Sequence, residues 1–224
     1  MATWIVHLRV ADKLLDSIPD ISPVEFVVGN IAPDSGIPNQ DWSVFTPSGD
    51  VSHFKTTDAD GLKDIHIHEF VDQYYSIEQR KKYDRKQMSF YLGYLSHLIT
   101  DMHWANGIVR PSIEKFQALY DNDRKVWIGT LKKDWYDLDF LYLIKNPVFR
   151  AFSMYESAVG FRNIYMDFFS EDAFDNRREF IVDFYRGQRE YVERVYDYLT
   201  EKEMDRFVEE CAERIRQALM DEYL

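Results

Sequence analysis

A chain of 224 residues that is 46% hydrophobic and 16% aromatic can bury a large core, which excludes a disordered polypeptide. Its net charge of −12, with no basic patch standing out, argues against extended nucleic-acid backbone as a partner. One cysteine, Cys211, leaves neither an intrachain disulfide nor a cysteine-rich zinc site, and only 9 Gly and 7 Pro favour helices over many short strands.

Thr3 is placed to cap a first helix running to about Ile18, where Pro19 ends it. The helix is apolar on most sides and therefore buried, and His7 lies in its first turn. Arg9, Asp12 and Lys13 interrupt the apolar run, so no secretory signal is expected. No uninterrupted apolar window of about eighteen residues offers a membrane span. The expectation is a soluble cytoplasmic protein.

Ser22-Pro23-Val24-Glu25 reads as a capping box with proline at the first helical position, opening a short helix that stops near Gly29. A long loop follows, from Asn30 to about Asp60. It contains Asn30-Ile-Ala-Pro-Asp34 and Ser52-His53-Phe54, with Trp42, Phe45 and Phe54 as pins to the body. A helix is predicted from about Leu62 to Tyr75. Its His66 and His68 are two residues apart and face opposite ways, so neither is assigned to a site.

Ser76-Ile-Glu-Gln79 opens the segment leading into a long central helix that runs to about Asn106. In that helix His97 and Asp101 are four residues apart on one stripe, and Gly93 leaves room for another segment to approach. His103 comes only two residues after Asp101 and points to the other side. Pro111-Ser-Ile-Glu114 restarts a helix. Further helices are predicted near 124–145, 147–158, 160–168, 172–187, 188–199 and 201–222, the last behind a Thr200–Glu203 capping box. The chain reads as one all-α, multi-helix domain over 1–224. Its first part, 1–108, holds all six histidines, and 109–224 is a histidine-free helical half.

Imidazoles and carboxylates without thiols suit zinc or a similar divalent ion at an open site. Asp34, His53, His97 and Asp101 would supply four ligands, and Asp101 would reach toward a second ion supported by His7. Two ions about 3.5–4 Å apart are a common device for phosphoester hydrolysis. No contiguous His-Asp dipeptide occurs, which excludes the hydrolases that need one.

The order Trp4-x-x-His7, Asn30-Ile-Ala-Pro-Asp34, Ser52-His53-Phe54 and Gly93-Tyr-Leu-Ser-His97-Leu-Ile-Thr-Asp101 resembles the zinc-dependent phospholipase C family over roughly residues 1–105. That family is all-helical and related in fold to fungal zinc nucleases that cut single strands. The resemblance implies His7, Asp34, His53, His97 and Asp101 as metal ligands, with Asp34 also the catalytic base. It implies a metal-activated water attacking a small phosphoester or phospholipid headgroup. The secreted family enzymes carry three zinc ions; here Trp4 is not the first residue and no histidine follows His103, so one or two ions, zinc or another divalent metal, are expected. Trp4, Trp42, Phe45 and Trp104 are candidates for an aromatic mouth and Arg110 for a phosphate clamp. A non-catalytic metal-binding protein and a metal-free helical interaction module remain alternatives. Substrate and oligomeric state are not legible.

Overall fold

The computed structural model describes residues 1–41, 43–57, 63–187 and 192–223, and is built almost wholly from helices. In the first half these are α1 (Trp4–Leu14), α2 (Pro23–Ile31), α3 (Gly49–Ser52), α4 (Ile67–Tyr74), α5 (Ile77–Arg80) and α6 (Arg85–Trp104). The second half contains α7 (Arg110–Lys115), α8 (Gln117–Asn122), α9 (Arg124–Lys145), α10 (Arg150–Ser157), α11 (Ala173–Arg186) and α12 (Glu201–Ala218). Two small antiparallel pairs complete the described elements: β1 (Ile37–Pro38) with β2 (Phe45–Thr46), and β3 (Lys55–Thr57) with β4 (Lys63–Ile65). No helix among the described residues is long and apolar enough to cross a membrane.

α6 is the axis of the fold. A capping box at Asp84 and Gln87 starts it, and it is buried from Ser89 to Asp101. Its closest neighbour is α2, and two glycines make that approach. A Cβ on Gly93 would lie 2.1 Å from the Phe26 carbonyl oxygen, and one on Gly29 would lie 2.2 Å from that of Phe90. Neither clash is relieved by a side-chain rotation, because the obstructing atoms are backbone. Gly29 was expected to stop α2; instead the helix runs on to Ile31, since this glycine serves backbone contact rather than termination. α1 packs against α2, α6, α10 and α12, so the amino-terminal helix is enclosed.

Several predicted boundaries move. α1 ends at Leu14, and the Thr3 hydroxyl donates to Asp139 Oδ1 at 2.8 Å instead of capping the helix. The long loop is organised: a 3₁₀ turn at Ala32–Asp34, the β1–β2 pair, α3 and β3 occupy most of it. Lys63–Ile65 is a strand, because it completes the ladder with β3, so α4 begins only at Ile67; the predicted start at Leu62 lies outside the described residues. Ser76 and Gln79 do form a capping box, which opens the short α5 that leads into the long helix. After Trp104 a wide π turn, Ala105–Val109, carries the chain into α7 past Pro111, which has no N–H to give an α-helical ladder.

The predicted helix at 160–168 is absent. Asn163 takes over the local backbone: its amide donates to the carbonyls of Met166 and Phe169, and its oxygen accepts from the N–H groups of Tyr165 and Met166. Residues 192–199 are also non-helical, and 188–191 lie outside the described residues. Here Arg194 pairs with the buried Asp134 and Asp137 of α9 at 2.7 Å each, and the Tyr198 N–H donates to Asp134. The Thr200–Glu203 capping box and α9 match expectation.

Gly93→Ala is expected to cost about 3 kcal/mol in denaturant unfolding, because backbone must move. Gly129→Ala, where open space surrounds the position, is expected to stabilise by up to about 1 kcal/mol. A second test concerns Asp139, whose carboxyl is pushed up to about 7 by burial, against the opposing bonds from Tyr185 and Thr3. Between the ordinary aspartate value and about 7 the folded chain keeps a proton that the unfolded chain has lost. Stability from this group therefore falls as pH rises through that window. In paired melts, Asp139→Asn is expected to lose less stability than the parent between pH about 4.5 and about 7.

Candidate metal centre

Four parts of the chain deliver side chains to one face of α6. His97 and Asp101 come from α6 itself. His7, in the first turn of α1, stacks its ring on His97 with centroids 3.7 Å apart and planes 4° from parallel. Asp34 closes the 3₁₀ turn that follows α2 directly. His53 caps the C-terminus of α3. The backbone beside it is fixed twice: the Tyr94 hydroxyl of α6 donates to the Ser52 carbonyl, and Phe54 adopts a left-handed φ of 48°. That conformation costs a bulky residue about 1–2 kcal/mol, offset by burying the Phe54 ring against Phe70, Tyr74, Tyr94 and Phe168.

Hydrogen bonds set the tautomers of two imidazoles. His97 Nδ1 donates to the Asn30 carbonyl at 2.8 Å, and His53 Nδ1 donates to the Gly49 carbonyl at 3.1 Å, with Ser52 Oγ a further neighbour at 3.0 Å. A carbonyl only accepts, so both Nδ1 atoms carry hydrogen and, in the neutral rings, both Nε2 atoms present lone pairs. Those Nε2 atoms face each other at 3.2 Å. Around them stand Asp34 Oδ1, 3.2 Å from His53 Nε2, and Asp101 Oδ2, 3.7 Å from His53 Nε2 and 3.6 Å from His97 Nε2. His7 Nε2 lies 3.3 Å from Asp101 Oδ1, which also accepts the Ala2 amide at 2.7 Å.

Lone pairs and carboxylate oxygens converging in a buried space repel unless a cation lies among them. Donors at about 2.0–2.1 Å from a tetrahedral zinc stand roughly 3.3 Å apart, close to the separations found here. Asp101 Oδ2 and both ring nitrogens of His7 are buried without a hydrogen-bond partner, as free ligand atoms would be. Two overlapping sets, His7–His97–Asp101 and Asp34–His53–His97, each bring three donors close enough for one ion. The residues present fit a divalent metal.

Protonation suits that use. Burial, joined by the neighbouring His97, holds His7 down to about 4, and burial also lowers His53, despite the pull of Asp101 and Asp34. Both are neutral imidazoles near pH 7, the ligating form. His97 moves up: burial opposes its charge, but the Asp101 and Asp34 carboxylates outweigh burial. Burial also opposes ionisation of Asp34 and Asp101, yet surrounding histidines hold both below the ordinary carboxylate range, and for Asp101 the amino-terminal charge adds to them.

All five predicted site residues therefore meet. Asp101 is sealed, whereas Asp34 retains 12% side-chain exposure and lines a cavity of about 460 Å³ with His53, Trp4, Phe45, Lys132 and Arg177. Trp4 and Phe45 line this cavity. Trp104 does not, being packed edge-on against Trp135 and Phe207 in the core, and Trp42 lies outside the described residues. His66 instead meets Thr56 at 3.0 Å, and His103 faces a separate hollow beside Cys211 and Arg214. Arg110 lines a neighbouring groove. The sequence reading missed the carbonyls of Asn30 and Gly49, which act through backbone and leave no side-chain signature. It also missed Lys132 and Arg177, which come from the histidine-free half. Arg177 is buried, with Nη2 donating to the Gly36 carbonyl at 2.6 Å and Nε unpartnered.

Compared with known protein families, residues 6–118 match the family described as zinc dependent phospholipase C, just over half the chain and all five cluster residues. No curated protein and no solved structure matches.

Zinc titration by calorimetry is expected to give tight binding that weakens as pH falls through the raised value of His97, because a proton there competes with the metal while His7 and His53 stay neutral. His97→Ala, which removes a donor shared by both sets, is expected to abolish tight binding, and Asn30 substitutions that keep the backbone are not.

Proposed function

The chain belongs to the zinc-dependent phospholipase C family, and from that premise we propose that it is a zinc-dependent phosphoesterase, with His7, Asp34, His53, His97 and Asp101 holding one or two ions. The observation that carries this reading is the pair of Nε2 lone pairs facing each other at 3.2 Å among buried carboxylates, at the floor of an open cavity. Without a metal the carboxylates are balanced only by protonating an imidazole, the direction in which His97 is shifted. The cavity favours an enzyme over a purely structural metal site, since structural sites are closed.

Zinc bound there would lower the pKa of a water and offset charge on the phosphoester oxygens. The chain's own residues divide the remaining work. Asp101 and His97, sealed on α6, fix the geometry from below, with the Asn30 carbonyl orienting His97. Asp34 is the carboxylate that reaches the cavity, so it is assigned the base that takes the water's proton. Trp4 and Phe45 exclude bulk water and offer apolar walls to the organic part of a substrate. A phospholipid-type phosphoester is the proposed substrate class.

The same reading treats 1–224 as one domain. α10 and α12 pack on α1, and Lys132 and Arg177 complete the cavity whose floor the first half supplies.

The test is release of p-nitrophenol from p-nitrophenyl phosphorylcholine and bis(p-nitrophenyl) phosphate with added zinc. The parent protein is expected to hydrolyse a diester, Asp34→Asn to lose about 100-fold or more in kcat, and His97→Ala to be inactive. Activity surviving His97→Ala, or no hydrolysis of any diester, overturns the reading.

A further inference from the structure

Beside the metal cavity, and sharing Met1, Lys132 and Trp135 with it, lies a second groove of about 390 Å³. Its rim carries Lys63, Arg110, Arg124, Lys125 and Lys132, and none of the described residues lining it is acidic. The chain as a whole has 39 acidic against 27 basic residues, so this concentration of positive charge runs against the composition. Much of the basic charge elsewhere is paired: Arg9 with Asp205, Arg150 with Asp12 and Asp16, Arg186 with Glu156. Among the described residues, Lys63, Arg110, Lys125 and Lys132 form no ion pair. All four are exposed to solvent. Like charges lining one groove, with no acidic side chain among its described lining, favour the binding of an anion.

The groove also has an apolar floor, with Val109, Ile113 and Ile128 alongside Trp127 and Trp135. Both tryptophans are at least nine-tenths buried, and the Nε1 of each is buried with no hydrogen-bond partner. Cations and hydrocarbon surface together describe a negatively charged amphiphile. A quaternary ammonium headgroup is a poor fit, because it would bring another cation to this rim.

We propose that this groove is the headgroup subsite for an anionic phospholipid, so that the chain selects phospholipids of net negative charge over zwitterionic choline lipids. The assignment rests on the phosphoesterase reading for what happens to the bound lipid, but the preference itself is a binding property of the groove. Because the protein's overall charge repels anions, a preference for an anionic lipid has to arise locally.

The test compares dihexanoyl phosphatidylinositol 4-phosphate, whose headgroup itself is anionic, with dihexanoyl phosphatidylcholine, both as monomers, by calorimetric binding to the zinc-loaded protein, with hydrolysis measured in the same preparations. The phosphoinositide is expected to bind at least about tenfold more tightly at low salt, with the advantage shrinking as salt rises. Lys63→Gln and Lys125→Gln are each expected to weaken it by about fivefold and to leave choline-lipid affinity within about twofold. Lys81→Gln, an equal change of charge at an exposed Glu78 pair, is expected to have no effect on the preference. Equal affinity for the two lipids, or a preference retained in the Lys63→Gln/Lys125→Gln double variant, overturns the proposal. A preference without hydrolysis of either lipid would leave the groove assignment standing and defeat the phosphoesterase reading instead.

Discussion

The backbone contact between α2 and α6 is the constraint on which the rest of the molecule depends. Gly29 and Gly93 let the two helices touch at a distance that any side chain would forbid. The consequences run in sequence. The Asn30 carbonyl reaches His97 and fixes its tautomer, and the 3₁₀ turn that continues α2 carries Asp34 to the same place. One turn of α6 supplies Gly93 and Tyr94, and the Tyr94 hydroxyl reaches across to hold the α3 backbone from which His53 projects. One helix crossing thereby positions parts of the chain more than sixty residues apart in sequence, as in the 67 residues between Asn30 and His97.

The cluster is electrostatically incomplete as a set of side chains alone. Two imidazole lone pairs, two carboxylates held ionised and a histidine with neither ring nitrogen bonded occupy a largely buried space, open only beside Asp34. Buried polar groups are ordinarily satisfied, and those left over mark a missing partner of opposite charge. Family membership and this local chemistry agree on the same partner. They are independent grounds, since one comes from sequence order and the other from hydrogen-bond direction.

How much of this was legible beforehand differs by type of interaction. His97 and Asp101 could be paired from helical spacing alone, because both lie on one regular element. Joining His7, Asp34 and His53 to them drew on the crowding of all six histidines into the first 103 residues and on the family resemblance, since no local rule connects a first helix, a turn and a loop. Gly93 was read correctly as a point of close approach, whereas Gly29 was taken for a terminator because glycine serves both purposes and only the partner helix decides between them. The segments at 160–168 and 192–199 carry a helical apolar pattern, yet Asn163 in one and the Arg194–Asp134–Asp137 cluster in the other claim the backbone or the anchoring side chains. The basic groove could not be seen at all: its lysines and arginines are dispersed from residue 63 to 132 and never form a run.

The division of labour between the two halves now has a physical basis. The first supplies nitrogen and oxygen donors on a rigid crossing; the second supplies most of the cations and the aromatic wall beside them. The central claim is that the imidazoles and carboxylates converging on α6 bind zinc, and X-ray absorption at the zinc edge tests it most directly. The account requires a shell of only nitrogen and oxygen at about 2.0–2.1 Å with outer scattering from ordered imidazoles. A sulfur shell at about 2.3 Å, which would place the metal at Cys211, or a metal with no imidazole around it, would contradict it.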